Sequence, residues 1–288
     1  MDPVKNILVT GADGQMGQSF RLLSLSHLDL NFFFCNSTDL DITNAAAIEN
    51  FIIDNKINFL INCAAYTAVD KAEEEREKAL LINADAVRML ARFCKISDVK
   101  FIHFSTDYVF NGNGSEPYLP TDTTDPVNFY GETKLKGEQY LLEENPASLL
   151  IRTSWVYSQF GKNFVKTMQQ LLTNKAELNV VADQFGSPTY AVDLAKALIQ
   201  IIKNDKPFSG IYHYCNEGII SWYDFAIAIK NDINSNCVIN PMTTAQFPTA
   251  AKRPAYSALN TDSFKKDFGQ IIPEWQVSLD NCIDVLSR

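Results

Sequence analysis

The 288-residue sequence predicts an α/β fold, a doubly wound parallel sheet carrying a smaller C-terminal cap. Three observations lead there. Runs rich in β-branched and aromatic residues alternate with amphipathic stretches of 3.6 period, the pattern of βαβ units. Several runs are apolar at consecutive positions, which suits strands covered by helices on both faces. A glycine-rich turn follows the first run directly. At roughly 150 residues per domain the length allows two folding units or one enlarged α/β unit.

The first strand is Asn6–Thr10, and the glycine turn opens a helix at Gln15–Ser26. A strand at Leu30–Asn36 and a helix at Ala45–Asn55 follow, the helix capped by Thr43-Asn44 with Ile48, Phe51 and Ile52 on one face. Next come a strand at Phe59–Ala64, a helix at Ala79–Ile96, a strand at Lys100–Ser105, a helix at Phe129–Glu144 and a strand at Ser148–Val156. After Tyr157 the rhythm loosens, with Pro188, Pro207, Pro241, Pro248, Pro254 and Pro273 among polar clusters. Helices fit at Asn163–Asn174, Val192–Lys203, Trp222–Ile233 and Ser278–Leu286, and strands at Leu178–Ala182 and Gly210–Cys215. Residues 1–157 are thus expected to form a dinucleotide-binding domain. Residues 158–288 supply most of the cap, with the strand near 210–215 returning to the main sheet.

With 25 basic and 34 acidic residues the chain carries −9, and no cluster of Lys or Arg interleaved with aromatics offsets it. Nucleic acid is excluded as a partner on that ground. Cysteines 35, 63, 94, 215, 237 and 282 are scattered without a CxxC or a nearby His, which predicts free thiols and neither disulfides nor a metal site. Apolar strand residues begin at Val4, leaving no room for a leader, and no run reaches the roughly 18 apolar residues of a membrane span. A cytoplasmic protein is expected.

Gly11-Ala12-Asp13-Gly14-Gln15-Met16-Gly17 has GxxGxxG spacing at a strand-to-helix turn. Glycine permits a tight turn and close approach of a pyrophosphate, and the helix N-terminus offers unpaired N–H groups. Gly17 allows close contact between helix and strand. Together they point to a Rossmann-type dinucleotide site. The second strand ends Phe34-Cys35-Asn36-Ser37-Thr38 with no acid at its tip, which favours NADPH; Asp39, about 22 residues beyond Gly17, leaves NADH open.

Tyr130 and Lys134 stand four apart at the start of a helix and share a face. A cation beside a phenol lowers its pKa and fits it for proton transfer to a carbonyl oxygen. Alone the pair is equally a surface helix. Thr106, in Ser105-Thr106-Asp107-Tyr108 at the end of the fourth strand, adds a hydroxyl where doubly wound folds bind ligands, although a turn residue is the ordinary alternative.

At these residues the sequence resembles the extended short-chain dehydrogenase/reductase superfamily, and within it the dTDP-4-dehydrorhamnose reductase family. NCAAYTAVDKAE from Asn62, STDYVFNG from Ser105, YGETKLKGE from Tyr130, RTSWVY from Arg152, DQFGSPT from Asp183 and KRPAYSALNT from Lys252 carry the similarity over nearly the whole chain. The resemblance implies reduction of the 4-keto group of a dTDP-6-deoxy-4-keto sugar. It implies Thr106, Tyr130 and Lys134 as the catalytic group, with Lys134 also gripping the nicotinamide ribose. Gly14, Gln15 and Met16 would cradle the pyrophosphate, Asp41 and Ile42 contact the adenine, and Ala64, Ala65, Tyr66 and Thr67 line the cofactor channel. Asp107 and Trp155 would face the sugar, Arg253 would hold the diphosphate, and Asn83 would support Lys134. Trp155 by itself fits a core tryptophan on a strand better, and it is the RTSW match that reverses that preference.

Two positions depart from relatives: Tyr66 stands where His is common, and Ser19 replaces an acid of members that dimerise around magnesium. A monomer or weak homodimer without a catalytic metal is therefore expected. The competing classes are a reductase of a neighbouring nucleotide keto-sugar and a non-catalytic regulator resembling the β subunit of methionine adenosyltransferase. A regulator has no need of complete SPT and KRPAYSALN segments beside an intact catalytic group.

Overall fold

A computed structural model describes residues 4–204 and 209–287; Pro207 lies outside them. The first half runs β1 (Lys5–Thr10), α1 (Gln15–Ser24), β2 (Leu30–Cys35), α2 (Ala45–Asp54), β3 (Phe59–Asn62), α3 (Arg76–Leu80), α4 (Ala86–Ile96), β4 (Lys100–Thr106), α5 (Phe129–Glu144) and β5 (Leu149–Thr153). The second half runs β6 (Val156–Tyr157), α6 (Phe164–Asn174), β7 (Glu177–Val181), β8 (Phe185–Gly186), β9 (Thr189–Tyr190), α7 (Ala191–Lys203) and β10 (Gly210–His213). It ends with β11 (Ile220–Ser221), α8 (Trp222–Asp232), β12 (Val238–Met242), α9 (Asp262–Phe268) and α10 (Trp275–Leu286).

The main sheet is parallel, in the order β2-β1-β3-β4-β5-β10. The fold is the Rossmann-type α/β architecture expected from the alternation of elements. Its strands are apolar on both faces because both are covered. Ile7, Val9, Phe59, Ile61, Ile102, Phe104 and Ile151 face a layer that includes Phe20 of α1, Leu194 and Leu198 of α7 and Phe264 of α9. Leu8, Leu60, Phe101 and Leu150 point the other way, onto Ile48 of α2, Leu90 of α4 and Leu141 of α5. A third cluster, around Tyr157, Val165, Phe225, Ile229 and Leu279, holds α6, α8 and α10 together beside β7 and β12.

Local departures from the sequence expectation have identifiable causes. The strand expected over 148–156 breaks at Trp155, whose φ of 48° lies in the left-handed region; β6 then leaves the sheet to pair with β9. The helix expected over 79–96 starts at Arg76 and contains a π-helical turn at Leu81–Asp85, an insertion that turns Asn83 inward. β12 was hidden by Pro241; it pairs only with β7, so proline's missing N–H falls on an open edge.

Chain reversal between β1, β2 and β3 places the switch point of the sheet at the carboxyl ends of β1 and β3, where doubly wound folds form a crevice. One buried ion pair fixes the neighbouring wall: Arg152 Nε and Nη2 donate to Glu138 Oε1 and Oε2 at 3.0 and 2.7 Å, both side chains no more than 3% exposed. Removing one partner strands the other charge, so Arg152→Met is expected to cost about 3–5 kcal/mol in urea unfolding. A loss below about 1 kcal/mol would show that water reaches Glu138.

Candidate active site

Gly11 begins the site. Its φ of 63° is open to glycine, and a Cβ there would stand 2.5 Å from the Ala64 nitrogen. The turn therefore lies directly on the end of β3. Gly14 caps α1, with its N–H donating to Gly11 O at 3.0 Å, and Met16 and Gly17 enter the first turn of the helix. This cradle without side chains, ending in a helix N-terminus, fits a pyrophosphate. Gln15 contributes differently from expectation. Its side chain donates to Val156 O and accepts from Ser158 Oγ and Asn163 Nδ2, which ties α1 to the start of the cap, so only its backbone is left for a ligand.

Around this turn lie the other residues expected to hold the cofactor. Asn36, at the tip of β2, donates to Asp13 Oδ2 and accepts from the Thr38 and Asp39 amides. Asp41 is exposed, and its carboxylate closes a turn by accepting from the Thr43 amide and hydroxyl; Ile42 is buried in the sheet's core. Ala64, Ala65, Tyr66 and Thr67 follow β3 along the crevice. Asn83 clamps this segment, accepting from Tyr66 N at 2.9 Å and donating to Tyr66 O and Thr133 Oγ1 at 3.0 Å. It makes no hydrogen bond to Lys134; it joins the segment after β3 to α5 through Thr133.

The residues expected to handle the proton converge between β4 and α5. Asn128 caps α5 by accepting from Gly131 N, which sets Tyr130 in the first turn and Lys134 one turn later. Gly131 is required here because a Cβ would collide with Tyr108 O at 2.2 Å. Thr106 is buried at the end of β4, donating to Asp107 Oδ1 at 3.0 Å and accepting from Tyr108 N. Burial raises the Asp107 carboxyl to about 6, with the Ser257 and Thr106 hydroxyls opposing, and its Oδ2 lacks a hydrogen bond of ordinary geometry.

Lys134 is 2% exposed and donates to Phe104 O at 2.7 Å. Burial lowers its ammonium to about 8, opposed by the charge of Glu138. The sequence expectation that this cation lowers the Tyr130 pKa is corrected. Burial and the Asp107 charge push the phenol upward, only the Thr106 hydroxyl opposes them, and Nζ is turned towards Phe104 O. Tyr130 is thereby kept as a neutral phenol, the form that donates a proton.

Residues beyond β5 complete the cleft. Trp155 stacks on Trp222 with ring centroids 3.5 Å apart, and Gly186 lies against its edge. Arg253 is paired with Asp70 at 2.7 Å, its guanidinium 6.0 Å from the Tyr108 ring, and that ring meets Tyr130 edge-on at 5.9 Å. Its side chain is only 18% exposed, so it is part of the cleft wall and not a solvated surface charge. Asp70, Trp222, Asn62 and His103 were not foreseen as site residues. Asn62 and Asp70 stood inside the NCAAYTAVDKAE segment, and a buried histidine near the end of a site strand was a signal for the last.

All six cysteines are free. Among the described residues no helix is long and apolar enough to cross a membrane, and no group of three or more His, Cys, Asp or Glu is placed to hold a metal.

The family model described as the RmlD substrate binding domain matches residues 5–288. A dTDP-4-dehydrorhamnose reductase of Aggregatibacter actinomycetemcomitans is 42% identical over 285 residues, covering 96% of this chain and 97% of that one. A dTDP-4-dehydrorhamnose reductase from Clostridium acetobutylicum superposes with a TM-score of 0.94 at 41% identity, covering 98% of this chain and all of its own. The Bacillus anthracis enzyme of the same name, solved in complex with NADP, gives 0.94 at 35% identity with the same coverage.

The buried lysine makes a pH test possible. Below pH 8 both native and unfolded chains hold its proton; between about 8 and 10.5 the unfolded chain holds more, so stability rises with pH across that window. Relative to Lys134→Met, wild-type protein is expected to gain up to about 3 kcal/mol from pH 7.5 to 10 in urea unfolding. A difference that stays flat would mean Lys134 titrates as an exposed lysine.

Proposed function

The chain belongs to the RmlD substrate-binding family, matched over residues 5–288, and on that premise we propose that it catalyses NADPH-dependent reduction of the 4-keto group of dTDP-6-deoxy-L-lyxo-4-hexulose. The product is dTDP-L-rhamnose, and the step is the last in making that nucleotide sugar. The reading rests above all on one observation: Thr106, Tyr130 and Lys134 converge beside the Gly11 turn while Arg253 closes the other side of the cleft. The relatives named as such reductases support it.

When bound, NADPH would supply a hydride to the sugar's C4; NADH is the weaker alternative, since Asn36 and not an acid follows the β2 strand. The turn from Gly11 to Gly17 would hold the pyrophosphate, Ala64 to Thr67 the nicotinamide end, Asp41 and Ile42 the adenine, and Lys134 the ribose. Tyr130 donates its phenolic proton to the carbonyl oxygen, so the ketone gains one hydride and one proton. Thr106 turns its hydroxyl from Asp107 to the same oxygen and stabilises the charge developing there. Asp107 and Trp155 face the sugar. A guanidinium at Arg253 can give two parallel hydrogen bonds to the diphosphate once Asp70 yields. The setting proposed is cytoplasmic. A monomer or weak homodimer is proposed because Ser19 is buried and spends its hydroxyl on Gln15 O.

A coupled assay with enzymatically made dTDP-4-keto-6-deoxy sugar, following NADPH loss and product stereochemistry, tests the proposal. Tyr130→Phe is expected to lower kcat at least about a hundredfold with cofactor affinity nearly unchanged. Retention of activity within a few fold would remove Tyr130 as the acid. Arg253→Ala should raise the KM for the sugar nucleotide about ten- to a hundredfold with little change for NADPH, because the diphosphate is remote from the carbonyl. An unchanged sugar-nucleotide KM would take Arg253 out of the site.

A further inference from the structure

The face of the sheet that packs on α2, α4 and α5 changes character at its carboxyl end. Register sets Thr10 opposite Asn62 and Asn62 opposite His103, each two residues beyond the apolar row of Leu8, Leu60 and Phe101. These three side chains are at most 1% exposed, so their hydrogen bonds must be made within the protein. They lead to one place. Thr10 Oγ1 donates to Asn62 Oδ1 at 2.7 Å, Asn62 Nδ2 meets His103 Nδ1 at 3.1 Å, and His103 Nε2 lies 3.5 Å from Lys134 Nζ.

Each donor in this row can be assigned. The Ala64 N–H, which can only donate, lies 3.2 Å from Asn62 Oδ1, so the carbonyl side of the Asn62 amide faces Ala64 and Thr10. The NH2 side must then face His103, whose Nδ1 accepts. Neutral imidazole with an accepting Nδ1 carries its proton on Nε2. That N–H points at a lysine nitrogen which, as ammonium, has only donors to offer. As an amine it has a lone pair for His103 and an N–H for Phe104 O, and both ring nitrogens of His103 then have a matched partner.

We propose that His103 is a positioning residue for Lys134: locked by Asn62 as the Nε2–H tautomer, it aims a donor at Nζ and biases it towards the uncharged amine. The same ordering rules His103 out as a proton relay, since neither ring nitrogen has a free lone pair while Asn62 holds it. The inference rests on Lys134 being the active-site lysine of the proposed reductase. Of the other charged or titratable groups on the surrounding elements, Glu138 on α5 acts on Nζ by its charge and is itself committed to Arg152 on β5, while Tyr130 on α5 and Asp107 at the end of β4 act on each other. Burial already lowers Lys134, and the same burial together with the Lys134 charge holds His103 well below its ordinary value, so the imidazole stays neutral.

The chain has three histidines, so long-range proton–nitrogen spectra of histidine-labelled protein can be assigned by loss of one set in His103→Gln. The expected result for His103 is a neutral Nε2–H ring from about pH 6 to 9. An Nδ1–H ring, or an imidazolium in that range, overturns the proposal. In Asn62→Ser the ring is free to turn its proton to Nδ1 and accept from the ammonium. The Lys134 Cε resonance, assigned with Lys134→Arg, should then titrate at least about one pH unit higher than in wild type. A folded Asn62→Ser protein with an unmoved midpoint overturns it too; if the variant does not fold, the wild-type tautomer decides. Neither readout uses turnover. Failure of the reductase assay, or full activity in Lys134→Met, would count against the proposed function and leave the tautomer result standing.

Discussion

Where the first strand ends, the backbone at Gly11 passes so close to Cys63 and Ala64 that no side chain fits between them. That approach brings the mouth of α1 to the end of β3, and the Ala64 amide with it. The Ala64 N–H then has one acceptor available, Asn62 Oδ1, and through that bond the orientation of a buried amide is settled. The same contact serves two purposes. It forms the cradle in which a pyrophosphate can meet bare backbone, and it starts the row of donors that ends on Lys134.

Buried charge in this protein is of two kinds, and the difference lies in the partners. Arg152 and Glu138 exchange two parallel hydrogen bonds, so desolvation is offset by pairing and the two elements that carry them are held in one geometry. Lys134 and Asp107 are buried as deeply with no ion pair between them, and both shift towards their neutral forms. Such groups cost stability. On the proposed function they are tolerated because the reaction uses a proton donor that stays neutral, a cation that can respond to what binds, and a dry pocket in which a hydroxyl or carboxyl counts for more than it would in water.

The order of layers was legible in the sequence because it rests on local signals. Consecutive apolar residues in Ile7–Val9 and Leu60–Ile61 could only be strands covered on both sides, and the glycine spacing at 11, 14 and 17 fixed the first turn. The Tyr130–Lys134 spacing was equally readable, since helical periodicity puts them on one face whatever surrounds them. What escaped was set by distant partners. Trp155 takes a left-handed φ because the chain must leave the sheet there, with Trp222, 67 positions on, as the ring it stacks against. The π-helical turn at Leu81–Asp85 meets a glycine at 137, and nothing near Asn83 announces it.

The direction of the Tyr130 shift lies beyond the reach of spacing for the same reason. Spacing fixes that two side chains share a helix face, but it does not fix where the longer one ends. Lys134 has four methylenes, enough to carry its nitrogen to Phe104 O and towards His103, so the electrostatic neighbour of the phenol is Asp107 on another element. A like argument applies to Arg253. Beside a proline in a polar stretch it looks solvated, yet Asp70 reaches across 183 positions to hold it over the Tyr108 ring. Asp70 also accepts from the Ala251 amide, so the segment that follows β3 and the segment entering the cap are fastened to each other at the cleft. An anion arriving at Arg253 would meet a guanidinium whose Nη2 is already held by a carboxylate of the segment after β3. The two walls of the site are thus linked through one ion pair that no short window of sequence contains.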